Sequence, residues 1–314
     1  MVPQVIPCLL RDLRAKDSRA RTTYIKLASK FRWLPSAESS EVRRRNAVWA
    51  FGVLSSNAFP ALIPLSDLLV KHQDSGIRAA AAEALYAVGP SARSAVPSLL
   101  LSLKDPDPSV RRCSVLSLGH IGSDLNLVIP ALEACIADTN SSVVAATIGA
   151  LGELGDQAQP ALPAIEKVWS RLDRQGRMAA LWAVKRINLE QSQQIFMEAS
   201  RASDPWIRNA CLRALSRSTN EPQIAVPILM KIAGQTNMPF APSQLALALG
   251  QFGTNAQSSV PMLLDFLETT DGTAQIEVAK ALHKIDPAAF SRAGWTEQAI
   301  TPVPVGRGER RNPR

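Results

Sequence analysis

In the stretch SVRRCSVLSLGHIG, Val110, Ser114, Ser117, Leu118 and Ile121 recur at i, i+4, i+7, i+8 and i+11. Small and apolar residues at this spacing line one face of a helix, with polar residues between them. Asp107-Pro108-Ser109 predicts the helix start: Pro supplies a helical φ in the first turn, and Asp or Ser accepts an orphan amide. Gly122 predicts its end. The following stretch, LNLVIPALEACIAD, is again apolar at helical spacing. Its Pro130 removes one backbone donor and is expected to bend or start that helix.

This helix pair is written again and again. The residues that end the first helix of each pair are Ser55, Gly89, Gly122, Gly155, Asn188, Thr219, Gly253 and Asp286, at spacings of 34, 33, 33, 33, 31, 34 and 33. A second marker keeps step: Pro64, Pro97, Pro130, Pro163, Phe196, Pro227 and Pro261. A fixed period of this size means stacked supersecondary units. One pair cannot bury its apolar stripe alone, whereas neighbours on both sides can. Small residues such as Ala80, Ala84, Ala150 and Ala183 predict close helix approach and leave little room for a pocket between helices. The expected fold is all-α, an α-solenoid (right-handed superhelix) of about eight helix pairs.

DSGIRAAAAEALYAVG, DPDPSVRRCSVLSLGHIG, NSSVVAATIGALGELG and DPWIRNACLRALSRS resemble HEAT repeats, and are most similar to the short bacterial variant of phycobilisome lyase-like proteins. The resemblance covers residues 41–286 and is weakest at TNMPFAPSQLALALGQFG, which has two prolines at the helix entry and no Arg. It implies a solenoid that presents a concave surface, lined by the second helix of each pair, to protein partners. It implies no reaction. In the family, the Arg of the first helix often pairs with an acidic turn residue and ties neighbouring repeats. The residues at those positions are Arg44, Arg78, Arg111, Arg177 and Arg208, with Asp105 and Asp138 among the turn carboxylates. A buried guanidinium requires such a partner.

Charge divides the chain. Residues 1–45 carry +7, residues 301–314 carry +3, and residues 46–300 carry −2. Three segments are expected: a basic helical segment at 1–40 that is an atypical or truncated repeat, the solenoid at 41–286, and a largely disordered basic segment at 287–314. Weak, non-specific nucleic-acid binding is expected at the basic N-terminus, because a nucleic-acid-binding body more often carries its excess along its length. No run of about 18 apolar residues predicts a membrane span. Four well-separated cysteines without a C-x-x-C fit a reducing compartment, so a cytoplasmic location and a monomer are expected.

No Ser-hydrolase, P-loop, dinucleotide or zinc-protease motif occurs, so the expectation is a protein without enzymatic activity, cofactor or metal. His72, His120 and His283 lie in different units and none is followed by Glu, unlike the His-Glu pairs of HEAT-built di-iron deoxyhypusine hydroxylases. The candidate partner surface is the column Trp49, Glu83, Trp182, Arg213 and Lys280, with Arg112 beside it. The alternatives are a nucleic-acid-binding or DNA-glycosylase-like protein using the basic N-terminal third, and a bilin lyase-like or chaperone-like role.

Overall fold

The computed structural model describes residues 2–30, 37–235 and 240–300, and these contain helices, turns and no strand. Two compact units divide between Asn188 and Leu189, inside the stretch expected to be one solenoid. Unit 1 opens with α1 (Val2–Leu13) and α2 (Arg19–Lys30), followed by α3 (Ser40–Leu54), α4 (Leu62–Lys71), α5 (Ser75–Val88), α6 (Val96–Ser102), α7 (Pro108–Ile121), α8 (Leu125–Cys135), α9 (Ser141–Leu154), α10 (Leu162–Val168) and α11 (Arg174–Asn188). Unit 2 holds α12 (Gln193–Ser200), α13 (Pro205–Ser216), α14 (Pro222–Ala233), α15 (Pro242–Leu249), α16 (Val260–Thr269), α17 (Gly272–Ile285), α18 (Pro287–Arg292) and α19 (Glu297–Ile300). Both units are all-α solenoid structure.

In unit 1 the first helices of successive repeats, α3, α5, α7, α9 and α11, pack side by side. Small residues set their approach. A Cβ added to Gly119 would lie 2.7 Å from the Cβ of Ala150, and one on Gly152 would lie 2.7 Å from the Cα of Ala183. The second helices bring larger residues to the core, with Leu65, Leu99, Leu132 and Ile165 fully buried. Caps follow the turn chemistry. Asp74, Asp107 and Asn140 accept from the amides of Ile77, Ser109 and Ser142 at the starts of α5, α7 and α9.

Three details differ from expectation. Gly122 alone of the unit-closing glycines is in the left-handed helical region (φ 62°, ψ 30°). Gly89 and Gly155 combine positive φ with ψ near −140°, a region that favours glycine still more strongly. Each of those two opens a 3₁₀ turn, at Gly89–Ala95 and Gly155–Ala161. In both turns the alanines at the fourth and seventh positions are buried, because i and i+3 eclipse in a 3₁₀ helix. Ser55 opens the equivalent turn without being glycine, at φ 47°.

The run Ser40–Lys71 includes a window apolar enough to cross a bilayer by composition. It is two helices broken at Ser55, and neither α3 nor α4 reaches the roughly 20 residues a span requires. Their apolar residues Phe51, Leu62, Leu65 and Leu69 are buried within the unit.

The ends also differ. α1 packs on α3 as an integral element of unit 1. The segment from 287, expected to be largely disordered, begins as the helix α18, which packs on α17 and buries Ala289 and Phe290. Two turns of apolar residues suffice to dock it. The tail at 301–314 lies outside the described residues.

Candidate interaction surfaces

The recurring arginines serve first as structural ties. The Arg78 guanidinium donates to both carboxylate oxygens of Asp105, at 2.7 and 2.8 Å, and Arg111 does the same to Asp138 at the same distances. The remaining terminal nitrogen of each donates to two turn carbonyls, His72 and Gln73 for Arg78, Asp105 and Pro106 for Arg111. The pairs are largely buried, and bidentate geometry suits a guanidinium at such a site. The Arg111 guanidinium holds the Asp138 carboxyl below the usual carboxylate range. Donating to the partner carboxylates raises Arg78 and Arg111 above the usual guanidinium range.

The ladder does not run the length of the chain. Twenty-seven residues separate each Arg from its Asp in these two rungs. From Arg44 the same step reaches Lys71, and from Arg208 it reaches Gln235, so neither Arg44 nor Arg208 meets a carboxylate there. Arg208 keeps only the two turn carbonyls, Ala202 and Ser203. Arg177 donates to the Ser170 carbonyl and sits 5.7 Å over the Trp169 ring. Near Arg44, Lys16 of the N-terminal segment pairs with Asp74 at 2.9 Å instead.

The candidate column divides between the units. In unit 1 it runs Trp49, Glu83, Leu116, Gly149 and Trp182, one residue from each consecutive first helix. Trp49 is 71% exposed and Trp182 44%. The Arg186 guanidinium lies 5.0 Å over the Trp182 ring and is fixed by donating to the Gly152 carbonyl at 2.8 Å. A Cβ on Gly149 would meet nothing within 4 Å, so the column is open there. Glu83 accepts from the Cys113 thiol at 3.4 Å, and Arg112 approaches the same sulfur at 3.9 Å. Burial, then the Glu83 charge, pushes that thiol up to about 12, so it is inert as a nucleophile. One turn along, Tyr86 and His120 rings stand 4.5 Å apart, and His120 Nδ1 lies 3.8 Å from Glu153. The sequence pointed to His120 only as an isolated histidine and not to Tyr86 or Glu153, although all three sit within one helical turn of the column.

In unit 2, Lys280 is tied to Glu277 of its own helix at 2.7 Å. Arg213 has a different setting. It lines a cleft of about 450 Å³ between α13 and α15, with Arg217 just past the end of α13 and Leu247 opposite. Among the described residues no group of three or more His, Cys, Asp or Glu side chains is placed to hold a metal.

The family model for HEAT repeats matches residues 64–152 and 96–171. No curated protein sequence matches the chain. Among solved structures the chain is similar to Kap95p, from its complex with RanGDP, at 13% identity and a TM-score of 0.58. That likeness covers 91% of this chain and 40% of Kap95p, so the chain spans well under half of that protein. YibA of E. coli gives 15% identity, 86% and 98% coverage and a TM-score of 0.53. The complex of CpcE and CpcF, the phycocyanin lyase of Nostoc sp. PCC7120, gives 22% identity over 77% of this chain and 89% of that one, at a TM-score of 0.43. The first two likenesses speak for the fold.

Proposed function

This chain is a HEAT-repeat protein, and we propose that it is a non-catalytic scaffold that binds a protein partner through the exposed face of its first helices. The observation that carries the reading is the column from Trp49 to Trp182. Two large aromatic side chains remain exposed on helices whose other faces are closely packed. Exposed aromatics, one of them backed by Arg186, are the composition of interface anchors. The small residues that join the helices leave the same column without an enclosed site, which suits surface recognition better than turnover.

Photo-crosslinking tests this. Benzoylphenylalanine at position 49 or 182 is expected to trap one and the same protein from cells that produce the chain. The same group at Leu127, 59% exposed on α8, is expected not to trap it. Crosslinking of that protein from position 127 alone would place the binding face on the second helices and overturn the proposal.

A further property rests on α2. Arg19, Arg21 and Lys26 are exposed on this helix, as are Arg11 on α1 and Arg14 just after it. We propose that this end attracts polyanions weakly and in a strongly salt-dependent way, with dissociation constants no tighter than about 10⁻⁶ M near physiological salt. The lyase-like, chaperone-like and glycosylase-like alternatives draw no supporting observation from the geometry.

A further inference from the structure

The cleft in unit 2 has chemistry that the exposed column of unit 1 lacks. Arg213 lies in the last turn of α13 and Arg217, four residues on, is the residue that closes it, and both line the cleft. Neither guanidinium has an ion-pair partner among the described residues, and no carboxylate lines the cleft. By contrast, Arg78, Arg111 and Arg208 on their first helices are engaged, by Asp105, by Asp138 and by turn carbonyls. Across the cleft, Gln244, Leu247 and Gln251 follow at i, i+3 and i+7 along α15 and the turn after it. Leu247 is 52% exposed there, a large apolar side chain between two carboxamides.

We propose that this cleft binds an acidic peptide segment in which carboxylate side chains flank an apolar one. The paired guanidiniums take the carboxylates, since Arg forks match carboxylate geometry and Arg clusters recur in the recognition of acidic motifs. Leu247 and Leu212 receive the apolar side chain. The carboxamides offer both donors and acceptors, as a peptide backbone requires. The Gln244 side-chain oxygen is already engaged by the Ala241 amide, which orients its NH₂ group as a donor. The lining holds no aromatic residue on which a nucleic-acid base would stack, and it has only two cations, so a peptide suits it better than a single strand. The inference rests on the scaffold reading but concerns a separate surface. Crosslinking through Trp49 can fail while the cleft binds, and the reverse.

The test is fluorescence anisotropy on the full chain with a labelled eight-residue peptide alternating Glu and Leu. Controls are the same peptide with Gln for Glu and an eight-nucleotide single strand of DNA. The Glu peptide is expected to bind at least tenfold more tightly than the Gln peptide, the size associated with charge-assisted hydrogen bonds. The double variant Arg213→Gln/Arg217→Gln is expected to lose at least that factor, and Leu247→Ser to lose severalfold. Arg11→Gln/Arg14→Gln, at the basic N-terminal end, is expected to lower peptide affinity by about twofold at most near physiological salt, because that end attracts polyanions only weakly. Because Arg213 and Arg217 are exposed, the double variant should keep the wild-type helical spectrum and melting profile. Should it misfold, Leu247→Ser and the Gln peptide still decide the matter. Undetectable binding of the Glu peptide, equal affinity in the Arg213/Arg217 variant, or loss only in the Arg11/Arg14 variant would overturn the proposal. So would tighter binding of the oligonucleotide that depends on Arg213 and Arg217.

Discussion

The two units use the same repeat with different rigour. In unit 1 successive first helices meet Gly against Ala, and two turns are tied by Arg–Asp rungs at a constant spacing. In unit 2 a Cβ on Gly250 would lie 3.2 Å from that of Ala281, looser than at Gly119 and Gly152 though closer than the 3.4 Å at Gly52, and Gln235 stands where a rung would need a carboxylate. Regular stacking engages its arginines internally. Where the pattern lapses, at α13 and α15, two guanidiniums and an exposed leucine are left facing a cleft. Departure from the repeat is therefore the feature that offers recognition chemistry, while adherence to it supplies stiffness.

The strongest way to break this comparison is to crowd the two approaches. Gly152→Val is expected to destabilise by about 2–3 kcal/mol, because a side chain there meets backbone that cannot yield. Gly250→Ala is expected to cost about 1 kcal/mol or less, since its neighbour needs to give by only a few tenths of an ångström. Equal costs by calorimetry would remove the distinction between the units.

Next are the rungs. Asp138→Ala is expected to cost about 2 kcal/mol by leaving the Arg111 guanidinium without its carboxylate. The Asp138 carboxyl titrates lower in the fold than when unfolded. Its contribution is therefore fully present above the ordinary aspartate value and is lost as the pH falls through the lower folded value. The gap in stability between wild type and Arg111→Met should accordingly be constant near neutrality and narrow below that value. A gap independent of pH in urea titrations would show that the rung works by packing alone. Conversely, Gln235→Asp should build a rung for Arg208 and stabilise the chain by about 1 kcal/mol.

Of similar or smaller size is the change Ser55→Gly. Ser55 holds a positive φ where the repeat elsewhere has glycine, so relief of that strain should stabilise by about 1 kcal/mol. A loss of stability would mean that the serine hydroxyl compensates for the backbone. The smallest effect is expected from Trp49→Ala with Trp182→Ala. Exposed side chains away from the core change stability within about 0.5 kcal/mol, while crosslinking of the partner should disappear.

The sequence by itself determined the helix pairs, their period and their caps, and it marked the row of arginines and turn carboxylates from which the rungs Arg78–Asp105 and Arg111–Asp138 are built. Each of these follows from residues a fixed number of positions apart, and helical geometry converts that separation directly into contact. Even the column containing Trp49 and Trp182 was legible, because equivalent residues of a repeat share a face. The placement of Arg44, the 3₁₀ turns, the docking of Phe290 and the division after Asn188 were not. Arg44 could be read as a rung because the chain does not announce that Lys71, rather than an acid, will stand opposite it. The cleft at Arg213 escaped for the same reason. Its chemistry depends on what α15 brings across from α13, through a stretch whose prolines and missing Arg blurred the period. A repeat fixes register along the chain; only the packed neighbour decides whether a charge is engaged or left facing solvent.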